Sequence, residues 1–181
     1  MVEGRDNGTG VQDLVLHADG SGLPYIHQKA GGSRNPPSQE TVARRQHSIF
    51  LDGRVVFRDA VVRMTEVSNE ILSRNELSVS DIDWFVPHQA NMRIVETTGA
   101  RLGMPKDRVL ITLPKYGNTS AASIPLTLWD YENRLKKGDR ILMAAFGGGY
   151  TWAGAYLIWA YDSVATAESR LEREGVSEPA E

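Results

Sequence analysis

The stretch Arg140–Tyr161 reads RILMAAFGGGYTWAGAYLIWAY: two apolar runs joined by three consecutive glycines. A strand with one wetted face alternates polar and apolar residues. Apolarity on both alternating faces over Arg140–Phe146, and again over Tyr150–Tyr161, therefore predicts central strands covered by helices on both sides. Working upstream, Ala121, Ile124, Leu128, Tyr131 and Leu135 mark a helix that Gly138 terminates, with Pro125 tolerable only in its first turns. Val109–Ile111 reads as a short strand, and Met92–Leu102 as a helix stopped by Gly103 and Pro105. Ile82–Val86 is an apolar run closed by Pro87. Beyond Gly53, the spacing of Val56, Ala60, Met64, Val67 and Ile71 predicts one buried helical face ending near Asn75. Further upstream, Leu23–Gln46 is rich in Gly, Pro, Ser and Asn and reads as a long surface excursion, while Val11–His17 reads as a strand ended by the turn chemistry of Asp19–Gly22. Alternating strands and helices argue an α/β layered domain over residues 1–161. The polar, acidic residues 162–181 form a tail, either a solvated helix over Ala167–Glu174 or disordered.

Composition narrows the function classes. At 181 residues with 41% hydrophobic and 24% charged, the chain can bury a real core. A net charge of -3 gives no electrostatic footprint for nucleic acid. No apolar run reaches the roughly 18–20 residues of a membrane span, and Met1–Gly10 is polar rather than signal-like, so a cytoplasmic protein without membrane contact is expected. With no cysteine, disulfides, Cys-type zinc sites and a cysteine nucleophile within these residues are excluded.

Three segments carry the candidate chemistry: Pro87-His88-Gln89-Ala90-Asn91, Tyr116-Gly117-Asn118-Thr119-Ser120-Ala121-Ala122-Ser123, and Phe146-Gly147-Gly148-Gly149. Singly, each has a structural reading. His88 between a strand and a helix can be a satisfied structural residue, Asn118 a turn residue or N-cap, and the glycines a tight strand connection.

In this order and spacing, however, they resemble the C-terminal signature of β-ketoacyl-acyl carrier protein synthase III, a thiolase-like condensing enzyme. The match extends to Leu16-His17-Ala18-Asp19-Gly20 and Asp83-Trp84-Phe85-Val86-Pro87, and runs from about Val15 to Tyr161. The resemblance implies the C-terminal half of a thiolase-like layered fold, a mixed β-sheet covered by helices. It also implies a decarboxylative Claisen condensation of an acyl-CoA primer with malonyl-acyl carrier protein, as in fatty-acid initiation, with no resident cofactor because CoA and phosphopantetheine thioesters are the substrates. His88 and Asn118 match the two positions that donate hydrogen bonds to the thioester oxygen as enolate charge develops. Gly148 matches the position whose N–H contributes to the oxyanion hole. Gln89, Arg93, Arg58 and Arg101 match positions of the docking surface for the acidic carrier protein, and Gly53, Phe57, Ala90 and Asn91 match the pantetheine tunnel. A helix starting near Asn91 would also expose the reacting thioester to its positive end.

A complete enzyme of this family has two similar halves, with the nucleophilic cysteine in the first. The resemblance therefore implies a partner: a cysteine-bearing N-terminal half, assembling with this chain into complete units that dimerise. It also implies a large apolar face left uncovered in this chain alone. A non-catalytic carrier-binding or regulatory fragment, and a malonyl-thioester decarboxylase, remain as alternatives.

Overall fold

The computed structural model describes residues 8–162. Within it, β1 (Gly10–Ala18) is followed by a short ribbon of β2 (Ile26–Gln28) and β3 (Ile49–Leu51), with α1 (Gln39–Ala43) between them. Next come α2 (Gly53–Arg74), β4 (Trp84–Pro87), α3 (Met92–Leu102), α4 (Leu113–Tyr116), α5 (Ser123–Asp130), β5 (Arg140–Gly147) and β6 (Thr151–Ile158). The main sheet has the order β1-β6-β5-β4; β4 and β5 are parallel and the other two pairings antiparallel. The mixed sheet expected from the sequence is thus present. The tail beyond residue 162 and residues 1–7 lie outside the described residues.

Helix α2 forms where its spacing places it. Asp52 accepts from the N–H groups of Arg54 and Val55, closing the N-terminus, and Asn75 caps the other end. Its stripe of Val56, Ala60, Met64, Val67 and Ile71 is buried against the sheet together with Val15, Leu142, Ala144 and Tyr156. The approach is close: a Cβ on Gly154 of β6 would lie 3.0 Å from side-chain atoms of both Ile71 and Val67, so glycine lets the helix settle here without the shift that a side chain would require. Arg74 donates twice to the Asp13 carboxylate and Asn75 donates once, which fastens the end of α2 to the irregular start of β1.

The opposite face of the sheet carries a smaller cluster, in which Val86, Leu110, Leu135 and Ile141 are buried against Ile124, Leu128 and Tyr131. Here the expectation of cover on both sides needs correction. Register places Leu14 opposite Ala155 and that residue opposite Met143, so these three share the α5 side; Leu16, Ala153 and Ala145 share it likewise. Yet Leu14 is 53% and Leu16 70% exposed. Among the described residues α5 covers the β4–β5 part of this face, and the β1–β6 part is open.

The Leu23–Gln46 segment lies largely at the surface and carries short elements of its own: β2, which pairs with β3, and α1, held by a reciprocal Ser38–Thr41 capping box. Two elements differ from expectation. Val109–Ile111 makes a single bridge, Val109 to Phe85, because the chain turns at once into the Thr112–Leu113 segment. The helix expected to reach Leu135 ends at Asp130; one turn of 3-10 helix follows, and the Tyr131 hydroxyl donates to the carbonyl of Ile111 instead of facing along the helix.

Candidate active site

Where β4 and β5 end side by side, the sheet opens into a cleft of about 1370 Å³. The carboxyl ends of parallel strands are where α/β sheets form ligand sites, since the chain leaves the sheet there in loops. His88 directly follows β4, and its N–H still donates to Ala144 of β5 at 2.8 Å, so its backbone is held by the ladder. His88, Asn118, Gly148, Ala90, Asn91 and Phe57 all line this cleft, as do Gly53 and Arg93. Residues separated by some 60 positions in sequence therefore converge on one space.

The His88 ring is half-buried, and its Nδ1 lies 2.6 Å from the Ser123 hydroxyl at the start of α5. Burial lowers the imidazole pKa below the ordinary histidine value, favouring the neutral ring. With Nδ1 occupied, Nε2 is the nitrogen left to meet a ligand. Asn118 is exposed on the cleft wall, and its Oδ1 accepts from the N–H of Ser120 at 2.9 Å. A backbone donor can be met only by the amide oxygen, so the NH2 group is what Asn118 offers to a ligand.

Gly148 is exposed in the Gly147–Gly149 turn, and a Cβ there would come no closer than 3.9 Å to Ile26. The fold would thus accept a side chain at 148, and that side chain would occupy the edge of the cleft. Gly149 differs: its φ of +145° and the approach of Thr151 within 3.0 Å demand glycine for the turn itself. Asn91 combines two roles, since its side chain caps α3 through the N–H of Arg93 while the residue also lines the cleft.

The residues assigned to carrier docking divide. Arg93 is exposed at the cleft mouth, with its guanidinium 5.0 Å from the centre of the Phe57 ring. Arg58 is exposed and paired with Asp59, and Arg101 is exposed in the last turn of α3; neither lines the cleft. Gln89 must be reassigned. It is 1% exposed, donating to the carbonyls of Pro87 and Leu110 and accepting from the N–H groups of Thr112 and Leu113, so it meets no carrier surface. Sequence reading missed Arg54, a second cation on the cleft wall, and the contact of Ser123 with His88.

Residues 72–159 match the family model described as 3-oxoacyl-acyl carrier protein synthase III C terminal. A β-ketoacyl-acyl carrier protein synthase III of Bacteroides thetaiotaomicron is 49% identical over 162 residues, covering 90% of this chain and 48% of the relative. That of Porphyromonas gingivalis is 47% identical over 162 residues, with the same shares. Among solved structures, the synthase III of Thermus thermophilus superposes with a TM-score of 0.73 at 37% identity, over 85% of this chain and 47% of the other. Fold and comparisons together define a domain of the thiolase-like fold. Within that class the chain is similar to the C-terminal half of β-ketoacyl-acyl carrier protein synthases III. It spans about half the length of the curated relatives it matches.

Proposed function

We propose that this chain is the anion-stabilising half of a β-ketoacyl-acyl carrier protein synthase III, acting with a cysteine supplied by an N-terminal half outside these residues. The observation that carries the reading is the arrangement of donors in one cleft: an imidazole with Nδ1 occupied, whose burial favours the neutral form, an asparagine amide whose oxygen is engaged, and the Gly148 backbone. Malonyl thioester loses carbon dioxide as its carboxylate C–C bond breaks, and the electron pair is held as an enolate whose oxygen accepts from His88 Nε2–H and the Asn118 amide. The carbon end of that enolate attacks the acyl group on the cysteine. The tetrahedral oxyanion accepts from Gly148 N–H and the cysteine's own N–H, then collapses to the 3-oxoacyl thioester and a free thiolate. No step asks for a resident cofactor; acyl-CoA and malonyl-acyl carrier protein are the substrates, and the carrier docks beside Arg93, with Arg58 and Arg101 adding positive charge.

The open sheet face supports the presence of a second half. Leu16, Ala145 and Ala153 belong both to that face and to the cleft wall, so a body covering the face would also border His88. Complete units of this kind would form dimers. The test is reconstitution: the chain is purified from its source, the copurifying polypeptide is incubated with acetyl-CoA and weighed intact, and carbon dioxide release from malonyl-acyl carrier protein is followed. Acetyl transfer to a cysteine, and release reduced a hundredfold to a thousandfold by His88→Ala or Asn118→Ala, support the reading. Carbon dioxide release with no 3-oxoacyl product would support a decarboxylase instead; carrier binding with neither reaction would leave a binding module.

A further inference from the structure

We propose that Ser123 is a positioning residue that fixes the His88 proton on Nε2, making the ring a donor into the cleft. This deepens the reading above, which needs a donor at that nitrogen. Ser123 is 2% exposed, and its hydroxyl has two neighbours: His88 Nδ1 at 2.6 Å and the N–H of Gln89 at 3.3 Å. The Gln89 N–H can only donate, so it occupies a lone pair of the serine oxygen. The serine proton then has Nδ1 as its acceptor, which requires Nδ1 to be bare and the ring proton to sit on Nε2. In the other tautomer Nδ1–H would also donate to the serine oxygen, and a buried O–H would be left without an acceptor. That defect disfavours the other tautomer by on the order of tenfold to a hundredfold.

The serine is itself held. Its carbonyl accepts from the Thr127 hydroxyl at 2.8 Å, and Thr127 shares a hydrogen bond of 2.6 Å with Thr112, whose N–H donates to Gln89. Gln89, Thr112, Ser123 and Thr127 are all buried, and every link runs between residues on different elements or adjacent turns. The network that sets the His88 tautomer thus also joins β4, the Thr112 segment and α5. With Ser123 only 2% exposed at the edge of the cleft, its hydroxyl acts through His88.

The first experiment reads the tautomer in the full chain, by long-range proton–nitrogen correlation on the 15N-labelled imidazole above pH 7. Wild type should show a bare Nδ1 and a protonated Nε2. Ser123→Ala should raise the Nδ1-protonated fraction several-fold, and Ser123→Thr, which keeps the hydroxyl, should restore the wild-type pattern. A protonated Nδ1 in wild type, or an unchanged tautomer ratio in Ser123→Ala, overturns the inference. Should the alanine variant not fold, Ser123→Cys removes most of the donor strength at similar size and is held to the same criterion. In the assembled synthase, Ser123→Ala should lower kcat for malonyl decarboxylation roughly tenfold and leave KM in place. A changed tautomer with undiminished decarboxylation would sustain the role of Ser123 and count against the thioester reading of His88, so the two fail separately.

Discussion

Replacing Gln89 by alanine is expected to destabilise the fold substantially while leaving carrier affinity unaffected. Its amide makes four hydrogen bonds at 2.7 to 3.2 Å in a site 1% exposed, joining the loop after β4 to the segment that leads toward Asn118. Truncation strands the N–H groups of Thr112 and Leu113, and each unsatisfied buried group costs about 1–3 kcal/mol. Allowing for water entering the vacated space, the loss should be about 3 kcal/mol. At roughly 2–4 °C per kcal/mol for a domain of this size, Tm should fall by about 6–12 °C. Thermal unfolding followed by far-ultraviolet circular dichroism measures this directly. Gln89→Glu sharpens the test: a carboxylate still accepts from both N–H groups but faces two carbonyls without a donor. It should be destabilised at neutral pH and recover as acid protonates it. A Tm change under about 1 °C in Gln89→Ala, together with weakened carrier binding, would refute the burial argument and return Gln89 to the docking surface.

Because burial lowers the His88 pKa from 6.5, the acid limb of the decarboxylation rate should lie below pH 6.5, with activity flat above it; a limb at or above 6.5 would contradict the neutral-donor role. The same depression gives a stability contribution present above pH 6.5 and lost as pH falls through the lowered folded value, readable as a drop in Tm over that window. Gly148→Ala should leave Tm within about 1 °C of wild type, since 3.9 Å of clearance accommodates the methyl group, while acyl transfer falls on the order of a hundredfold; equal loss of fold and activity would make the glycine structural. Arg93→Glu should raise KM for malonyl-acyl carrier protein on the order of tenfold with kcat unchanged, and the effect should shrink as salt is added; insensitivity to salt would argue against a charge-steered surface.

Much of the scaffold was legible because its signals are local. Five apolar residues at helical spacing define α2, and Asn91 and Gly103 bound α3 through a side-chain cap and a left-handed turn at φ 75°. What escaped is non-local or lacks a periodic signal. Strands β2 and β3 are three residues each, separated by twenty positions and largely exposed, so neither shows alternation, and only their pairing makes them strands. Gln89 was assigned to the docking surface by the resemblance, whereas its partners are main-chain groups whose needs no composition reveals. The catalytic candidates were legible as a set and silent singly: His88, Asn118 and Gly148 gain meaning only when three elements bring them to one cleft. Ser123 lay within the quoted Asn118 motif, yet its role depends on a contact 35 residues back along the chain.

The division between a buried network and an open face has a mechanistic consequence. On one side, His88 and Asn118 are oriented by groups of this chain alone: the Ser123 hydroxyl and the Ser120 N–H. Their geometry therefore does not wait for a second body, and the proposed donors are set before any partner arrives. On the other side, Leu14 and Leu16 stay more than half exposed on the face that continues into the cleft. Fully burying each leucine would contribute roughly 1.5–3 kcal/mol, a large drive for association concentrated next to the donors. The proposed cysteine-bearing half, seated on this surface, would thus bring its thiol toward a cleft whose donors are already oriented. Decarboxylation tests the donors, and acyl transfer tests the assembly; a variant such as Leu14→Asp separates them, because Leu14 is exposed on the open face but does not line the cleft, so the docking drive falls while Ser123, His88 and Asn118 stay in place.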